Sequence, residues 1–413
     1  FFIVEYAAPR DGAEPDRLFV PVDQKDRLTP YVGFETPKIH RLGGTFWEKT
    51  KKRVREDAEK MAKELAKLYA QRSLVEREVF LGDKDLEEKL KETFLYQETE
   101  DQLRVEREIM ADLEDRKPMD RVLCGDVGFG KTEIALRAAV RVAASCKQVA
   151  LLSPTTILAN QHEKVFRERL ADLPFNIRLL SRMTPPGEEK SILKELSEGQ
   201  VDCLIGTHRL LSSDIVFKNL GLVIIDEEQR FGVKQKEKLK ELRHSVDMLS
   251  LSATPIPRTM HMVLSKLRPI SKLESPPPGR LAIKTHVLPY SARTISQAIK
   301  AELARDGQIY FLHNRIETIE QVRKKLVSRL GSAFRGSPIG ILHGRMPEKE
   351  IINTMDKFRR GEIKILLATT IIENGLDIAS ANTLIVDDST RLGLSEAHQL
   401  RGRIGRGSVQ AFA

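Results

Sequence analysis

The stretch Val122-Leu123-Cys124-Gly125-Asp126-Val127-Gly128-Phe129-Gly130-Lys131-Thr132, followed by the helix-prone run Glu133 to Ala144, decides the fold class. A short apolar run, a glycine-rich turn and a helix start come in the order that a phosphate cradle requires. The loop Gly125 to Gly130 lets backbone N–H groups close around a di- or triphosphate. Lys131 then reaches the outer phosphates and the Thr132 hydroxyl can sit on Mg²⁺. The chain is expected to use a nucleoside triphosphate, and the rest of the sequence must say what that drives.

Composition sets the bounds. A length of 413 residues suggests about three domains on a prior of ~150 residues each. Hydrophobic content of 41% with 31% charged residues fits a soluble globular chain. No run of ~18 apolar residues occurs, so no membrane partner is expected. Phe1 to Tyr6 alternates like a strand and lacks the charged start and long apolar stretch of a secretion signal, and a first residue of Phe suggests a fragment. Cys124, Cys146 and Cys203 form no Cys-x-x-Cys pair and read as buried thiols of a reducing cytosol, which places the chain in the cytoplasm. A formal charge of +9 favours an anionic partner, ordinarily nucleic acid, although charge alone decides little.

The chain divides into stretches. Residues 1–45 carry short alternating runs broken by Pro9, Asp11-Gly12 and Pro30, the pattern of a small β unit. From Phe46 to about Arg77 there is almost no Gly or Pro, and Val54, Ala58, Met61, Leu65 and Leu68 recur at helical steps, so residues 46–80 are expected to hold one long amphipathic helix. Its outer face mixes lysines with Glu56, Glu59 and Glu64, which leaves a solvated connector and a nucleic-acid contact both open. Across 81–272, apolar strands such as Val149 to Leu152, Cys203 to Ile205 and Leu222 to Ile225 alternate with helical patterns, which is the signature of a doubly wound parallel sheet. A Pro-rich joint at 273–280 follows. The alternation then resumes in 281–413 with Ile309 to Leu312, Ile339 to Leu342, Ile363 to Leu367 and Thr383 to Val386. The expected fold class is α/β, with two such lobes preceded by a small β domain and a long helix.

Chemistry gathers where strands end. Leu222 to Ile225 delivers Asp226-Glu227-Glu228-Gln229 at its carboxyl end, where open α/β sheets bind ligands. There Asp226 can hold Mg²⁺ while Glu227 orients and deprotonates the water that attacks the γ-phosphate. Thr155-Thr156, Thr207-His208-Arg209, Asn314-Arg315 and Thr369-Thr370 follow other strands. Short hydroxyl side chains and backbone N–H groups suit phosphodiester oxygens without reading bases. Near the chain's end, Gln399-Leu400-Arg401-Gly402-Arg403-Ile404-Gly405-Arg406 brings arginines to a Gly-punctuated helix. Arg403 and Arg406 could reach the triphosphate from the opposite lobe and stabilise charge on the γ-phosphate; contact with DNA is the other reading of the same residues.

In that order, the clusters from Gly125 to Arg406 resemble the helicase motifs of superfamily 2, built on two RecA-like lobes, over about three quarters of the chain. Gly206 to Leu211, Asp226 to Val233, Ala253 to Thr259 and Gln399 to Arg406 are similar to the branch shared by RecG-type branch-migration helicases and bacterial transcription-repair coupling factors. Tyr6-Ala7, Leu18 to Gln24, Asp26 to Leu28, Tyr31 to Gly33 and His40 to Gly44 with Trp47 resemble the SH3/Tudor-like RNA-polymerase-interacting domain of the coupling factors. A RecG-type protein would carry an OB-fold wedge there.

The resemblance implies an ATP- and Mg²⁺-dependent double-stranded-DNA translocase. Its partners would be the RNA polymerase β subunit, through residues 1–45, and excision-repair proteins, through regions beyond this chain. It implies catalytic roles for Lys131, Thr132, Asp226, Glu227, Gln399, Arg403 and Arg406, with Mg²⁺ on Thr132 and Asp226. Nucleotide contacts would come from Gly125, Asp126, Val127, Gly128, Phe129, Gly130, Gly375 and Asp377; Phe94 would stack on adenine and Gln102 would hydrogen-bond to it. Ser252 and Thr254 would couple nucleotide state to movement, and Thr155, Thr156, Thr207, His208, Arg209, Asn314, Arg315, Thr369 and Thr370 would hold the DNA backbone. Gln229 stands where many relatives have His, and Asn374 where many have Ser. A branch-migration helicase and a non-motor polymerase scaffold are the rival readings.

Overall fold

The computed structural model describes residues 1–8, 14–22, 24, 28, 52, 56, 69–72, 74–253, 268–279, 281–331, 338–369, 381–405 and 409–413. They form two compact units, Phe1–Ala70 with Thr390–Leu394, and Gln71–Ser389 with Ser395–Ala413. In the first unit, β1 (Phe2–Glu5) and β2 (Arg17–Val20) pair antiparallel with Phe2 opposite Val20 and Glu5 opposite Arg17. Alternation in Phe-Ile-Val-Glu and Arg-Leu-Phe-Val sets that register. Phe1, Ile3 and Phe19 remain more than half exposed. Most of the expected long helix, and Trp47 with it, lies outside the described residues.

In the second unit the chain runs through α1 (Lys84–Glu92), α2 (Glu100–Glu114), β3 (Asp120–Gly125), α3 (Lys131–Ala144), β4 (Gln148–Leu152) and α4 (Thr156–Arg169). It continues through β5 (Ile177–Leu180), α5 (Pro186–Glu198), β6 (Cys203–Gly206), β7 (Leu220–Asp226), α6 (Val233–Leu242), β8 (Asp247–Ser252) and β9 (Ile270–Leu273). These strands form a parallel sheet in the order β5-β6-β4-β7-β8-β3-β9. A second series, α7 (Ala292–Ala304), β10 (Gln308–Leu312), α8 (Ile316–Leu330), β11 (Ile339–Leu342), α9 (Glu348–Arg359), β12 (Ile365–Ala368), β13 (Ala381–Val386) and α10 (Leu394–Arg401), builds a parallel sheet ordered β11-β12-β10-β13. Phe412 bridges both Thr383 and Lys284 beside it.

The apolar runs make these strands because helices cover both faces of the sheet. Leu222, Val223, Ile224 and Ile225 are all fully buried, as are Ile365, Leu366 and Leu367 in the second lobe. Truncating one such side chain, Leu123→Ala for instance, is expected to cost roughly 2–5 kcal/mol. Every parallel strand then ends on the same side, so the loops after β3, β4, β6, β7 and β8 converge on one edge of the first sheet.

Two expectations need correction. Residues 75–83 are not helical; the helix ends before them because the chain is tied to the first lobe. Arg72 Nη2 donates to Met119 O (2.5 Å) and Val246 O (2.9 Å), and Arg77 forks onto both oxygens of Asp247 at 2.7 and 2.8 Å. Phe80 is buried behind them, so tertiary anchoring outweighs helix propensity. Cys146 is exposed, whereas Cys124 and Cys203 are buried. It sits at a positive φ of 58° in the tight turn between α3 and β4, and such connections ordinarily run over the surface.

Candidate nucleotide and DNA site

The phosphate loop is held from beneath. Gly128 (φ 83°) and Gly130 (φ 91°) take the left-handed backbone that glycine permits. A side chain at Gly130 would also strike Gln102 Nε2 at 2.3 Å. Gln102 Oε1 accepts from Thr99 N (2.9 Å) in a capping box that starts α2, and its Nε2 donates to Phe129 O (2.9 Å). Both amide atoms expected to read adenine are thus engaged with the protein, and the amide braces the loop. Phe94 likewise packs under Arg137 and Arg169, whose guanidinium carbons lie 5.3 and 5.5 Å from its ring centre. Lys131 Nζ folds back onto the carbonyls of Gly125 (2.6 Å) and Asp126 (2.9 Å) at the start of the loop.

The acidic strand end supplies two carboxylates of opposite character. Asp226 closes β7 and receives His162 Nε2 at 2.9 Å from α4. A carboxylate only accepts, so this nitrogen carries the proton. Burial pushes Asp226 up, but the bond from His162 and the nearby cations Lys131 and Arg403 outweigh it and leave the carboxyl below its ordinary value. Glu227 moves the other way: burial and the neighbouring Asp226 charge raise it, against the opposing pull of Lys131 and Gln229. Its backbone is left-handed (φ 51°), an uncommon state for a side chain of this size and one that concentrates at functional sites. Ala253 N donates to its Oε1 (3.3 Å) and Gln229 Nε2 to its Oε2, so the residue expected to depart from the family's His is bound to Glu227 itself.

Thr132, in the first turn of α3, and Asp226, at the end of β7, offer the hard oxygen donors that Mg²⁺ takes. No group of three or more His, Cys, Asp or Glu among the described residues could hold a metal by itself. A cation here would share its shell with phosphate oxygens and water, as Mg²⁺ ordinarily does beside nucleotides.

Behind the carboxylates, Glu228 anchors a buried network. It receives Arg243 Nη2 (2.5 Å), Ser250 Oγ (2.7 Å) and Arg268 Nη1 (3.3 Å). Burial would raise its carboxyl, but the two guanidiniums and Ser250 hold it down to about 2. Arg268 continues to Asp120 at the start of β3 (2.8 Å), so the strand that leads into the glycine-rich loop and the turn carrying Glu227 are braced together.

The second lobe meets this edge through α10. His398 Nε2 lies 3.0 Å from Asp126 Oδ1 of the phosphate loop, and Arg230 Nη2 donates to Gln399 Oε1 (3.2 Å). A side chain at Gly402 would touch Val127 at 3.2 Å. Arg403 is buried and lowers both Asp226 and Glu227, which places its charge toward the carboxylates. Ser252 ends β8 on the same edge. Thr254, Gly375, Asp377 and Arg406, with Asn374, lie outside the described residues.

The DNA candidates are less uniform. Thr155 caps α4, its hydroxyl taking Leu158 N (3.3 Å), and Thr156 is buried with its hydroxyl 3.4 Å from Glu348 of the second lobe. Thr207 is buried, its hydroxyl without a partner among the described residues. His208 is exposed, but Arg209 is clasped by Glu189 (2.6 Å) and Asp214 (2.8 Å). Asn314 and Arg315 are exposed after β10, and Thr369 is buried after β12; Thr370 lies outside the described residues.

Two family models match in tandem, the DEAD/DEAH box helicase over residues 99–263 and the helicase conserved C-terminal domain over 292–408. The chain belongs to the superfamily 2 helicases. It is similar to the transcription-repair-coupling factor of Bacillus subtilis (strain 168), 48% identical over 400 residues that cover 96% of this chain and 34% of that protein. The factor of Staphylococcus aureus (strain USA300) is 46% identical over the same shares. The chain thus spans about a third of the length of the curated relatives it matches. Among solved structures, RecG bound to a three-way DNA junction superposes with a TM-score of 0.67 at 33% identity, covering 84% of this chain and 48% of that one. Yeast (S. cerevisiae) Dbp5 bound to RNA and ADP BeF3 shares the fold, with a TM-score of 0.61, 16% identity and coverage of 80% and 86%. No helix among the described residues is long and apolar enough to cross a membrane.

Within the helicase site, sequence reasoning missed His162, the Glu228 network and the His398–Asp126 bond. His162 had a signal: it occupies the buried stripe Leu158, Ala159, His162, Phe166 of α4, where an apolar side chain would otherwise stand.

Proposed function

We propose that this helicase-family chain is the motor portion of a double-stranded-DNA translocase that displaces RNA polymerase stalled at lesions and so couples transcription to nucleotide-excision repair. The observation that carries the reading is the extent of the coupling-factor match. Coverage of 96% cannot omit residues 1–45, which at 45 of 413 are more than a tenth of the chain and are where polymerase would dock. The exposed apolar residues of β1 and β2 support a docking role for that region. The working division is 1–45 polymerase-interacting, 46–80 connector, 81–272 first lobe, 273–280 linker and 281–413 second lobe.

In this reading ATP enters between the lobes. Lys131 exchanges the loop carbonyls for phosphate oxygens. Thr132 and Asp226 would hold Mg²⁺, which would supply neutralisation of the phosphate charge. Glu227 takes the proton of the attacking water, and its raised pKa brings it nearer the working range of a general base. Arg403, with Arg406, neutralises charge that develops on the γ-phosphate, and Gln399 links that helix to Arg230. Phe94 and Gln102 must give up their present partners before they can contact adenine. Cycling the cleft would move Thr155, Thr156, Thr207, Asn314 and Arg315 along the DNA backbone, with Ser252 and Thr254 as the coupling segment.

A RecG-type branch-migration helicase is the second reading, favoured by the 33% identity to RecG. A pull-down of the polymerase β subunit by the 413-residue chain, and by the chain lacking residues 1–45, separates them. Capture that is lost with the deletion is expected; no capture by either favours branch migration.

A further inference from the structure

We propose that His162 is a positioning residue for ATP hydrolysis: it fixes the Asp226 carboxylate for the metal from the same helix whose first turn carries Thr155 and Thr156. This rests on the ATP-site reading above and adds a link from that site to the DNA backbone.

The geometry is specific. His162 is 6% exposed, and its Nε2 lies 2.9 Å from Asp226 Oδ2. With the proton on that nitrogen, one carboxylate oxygen is taken and the other is left to face a cation. Hydrogen-bonded partners behind a metal-holding carboxylate set its orientation, and removing such partners ordinarily weakens metal binding about 10–100-fold. An imidazole in an apolar stripe has no packing advantage over Leu or Phe, and burying it unpaired is costly. Its polar partner across the interface is the carboxylate expected to hold Mg²⁺.

The helix makes the link mechanical. Thr155 is the N-cap of α4 and Thr156 its first residue, while His162 is six residues further along, about 9 Å at 1.5 Å per residue. Leu158 and Ala159 bury the intervening face. A phosphate that engages the threonines therefore pulls on the element that holds the imidazole against Asp226. Among the described residues, neighbouring Glu227, Lys131 of α3 and Arg403 from the second lobe also act on this carboxylate, and His162 connects it to α4.

Binding of methylanthraniloyl-ADP to the 413-residue chain, titrated with Mg²⁺ with and without duplex DNA, tests this. His162→Ala should keep Mg²⁺-free nucleotide binding within about twofold and raise the half-saturating Mg²⁺ concentration about 10-fold. His162→Gln, whose amide N–H can reach the same oxygen, should recover most of the loss. Duplex DNA should lower the half-saturating Mg²⁺ of the natural chain and leave that of His162→Ala unmoved. A variant whose thermal midpoint falls while its Mg²⁺ requirement stays unchanged would overturn the positioning role. Equal DNA effects in both proteins would overturn the helix link. Lys131→Ala is the separate control: if it still binds nucleotide normally, the ATP-site reading itself fails, whatever His162 does.

Discussion

The two lobes repeat one plan, a parallel sheet whose strands end on a working edge, yet they finish that edge differently. In the first lobe the key side chains are each held by partners of the same lobe: Asp226 by buried His162, Glu227 by Ala253 and Gln229, Glu228 by two arginines and Ser250. Besides the buried Arg403 and Gln399, the second lobe reaches across through ion pairs at partly exposed positions. The side chains of His398 and Asp126 are 38% and 44% exposed, and the Arg182–Glu348 and Lys164–Asp356 pairs are at least a third exposed on both sides. Exposed pairs of this kind contribute roughly 0–1 kcal/mol each. The first lobe is thus a preassembled half-site, while the second is held by contacts weak enough to exchange during a cycle.

That contrast can be broken in several places. Removing the second lobe's contribution should have the largest effect: Arg403→Ala is expected to lower kcat on the order of 10³-fold while nucleotide affinity stays within about threefold. Loss of DNA affinity with normal basal turnover would make Arg403 a DNA contact instead. Within the preassembled half, Glu227→Gln should cut turnover at least ~100-fold and leave ATP binding nearly intact, since it removes a proton acceptor and no phosphate contact. Equal loss of both would refute the base assignment.

The rigidity of the first lobe is testable by acid. Glu228 is held at about 2 against an ordinary value of 4.5, so between those values the unfolded chain binds the proton more readily. Its contribution is complete above about pH 4.5 and is lost as the pH falls toward 2. Urea unfolding of Glu228→Gln across that window should show a shallower loss of stability than the natural chain; identical slopes would mean the network does not brace the turn. The smallest effect belongs to the inter-lobe bond. Asp126→Asn should change the KM for ATP no more than about fivefold, because an exposed contact contributes no more than ~1 kcal/mol. A loss of several orders would show the lobes to be locked together.

What the sequence made legible follows the same division between local and distant. The phosphate loop, the strand runs of both lobes and the acidic strand end are contiguous patterns, so periodicity and spacing reveal them. Ile270-Ser271-Lys272-Leu273 has too little apolar run to announce β9, which becomes a strand by pairing with β3. Arg77 reads as the tail of a helix because nothing local points to Asp247, 170 residues away. The family resemblance makes Gln102 an expected adenine contact, and only the folded chain reveals that its amide props Phe129. Residues whose partners are far along the chain carry no local signature, and those residues brace the site.

The claim on which the rest depends is that one ATP site, shared by a fixed half and a moving half, answers to duplex DNA. ATP turnover of the 413-residue chain without DNA, with single-stranded DNA and with duplex DNA at matched salt measures it directly. Duplex DNA should raise the rate well above both other conditions. A rate indifferent to DNA, or raised by single strands alone, would contradict it.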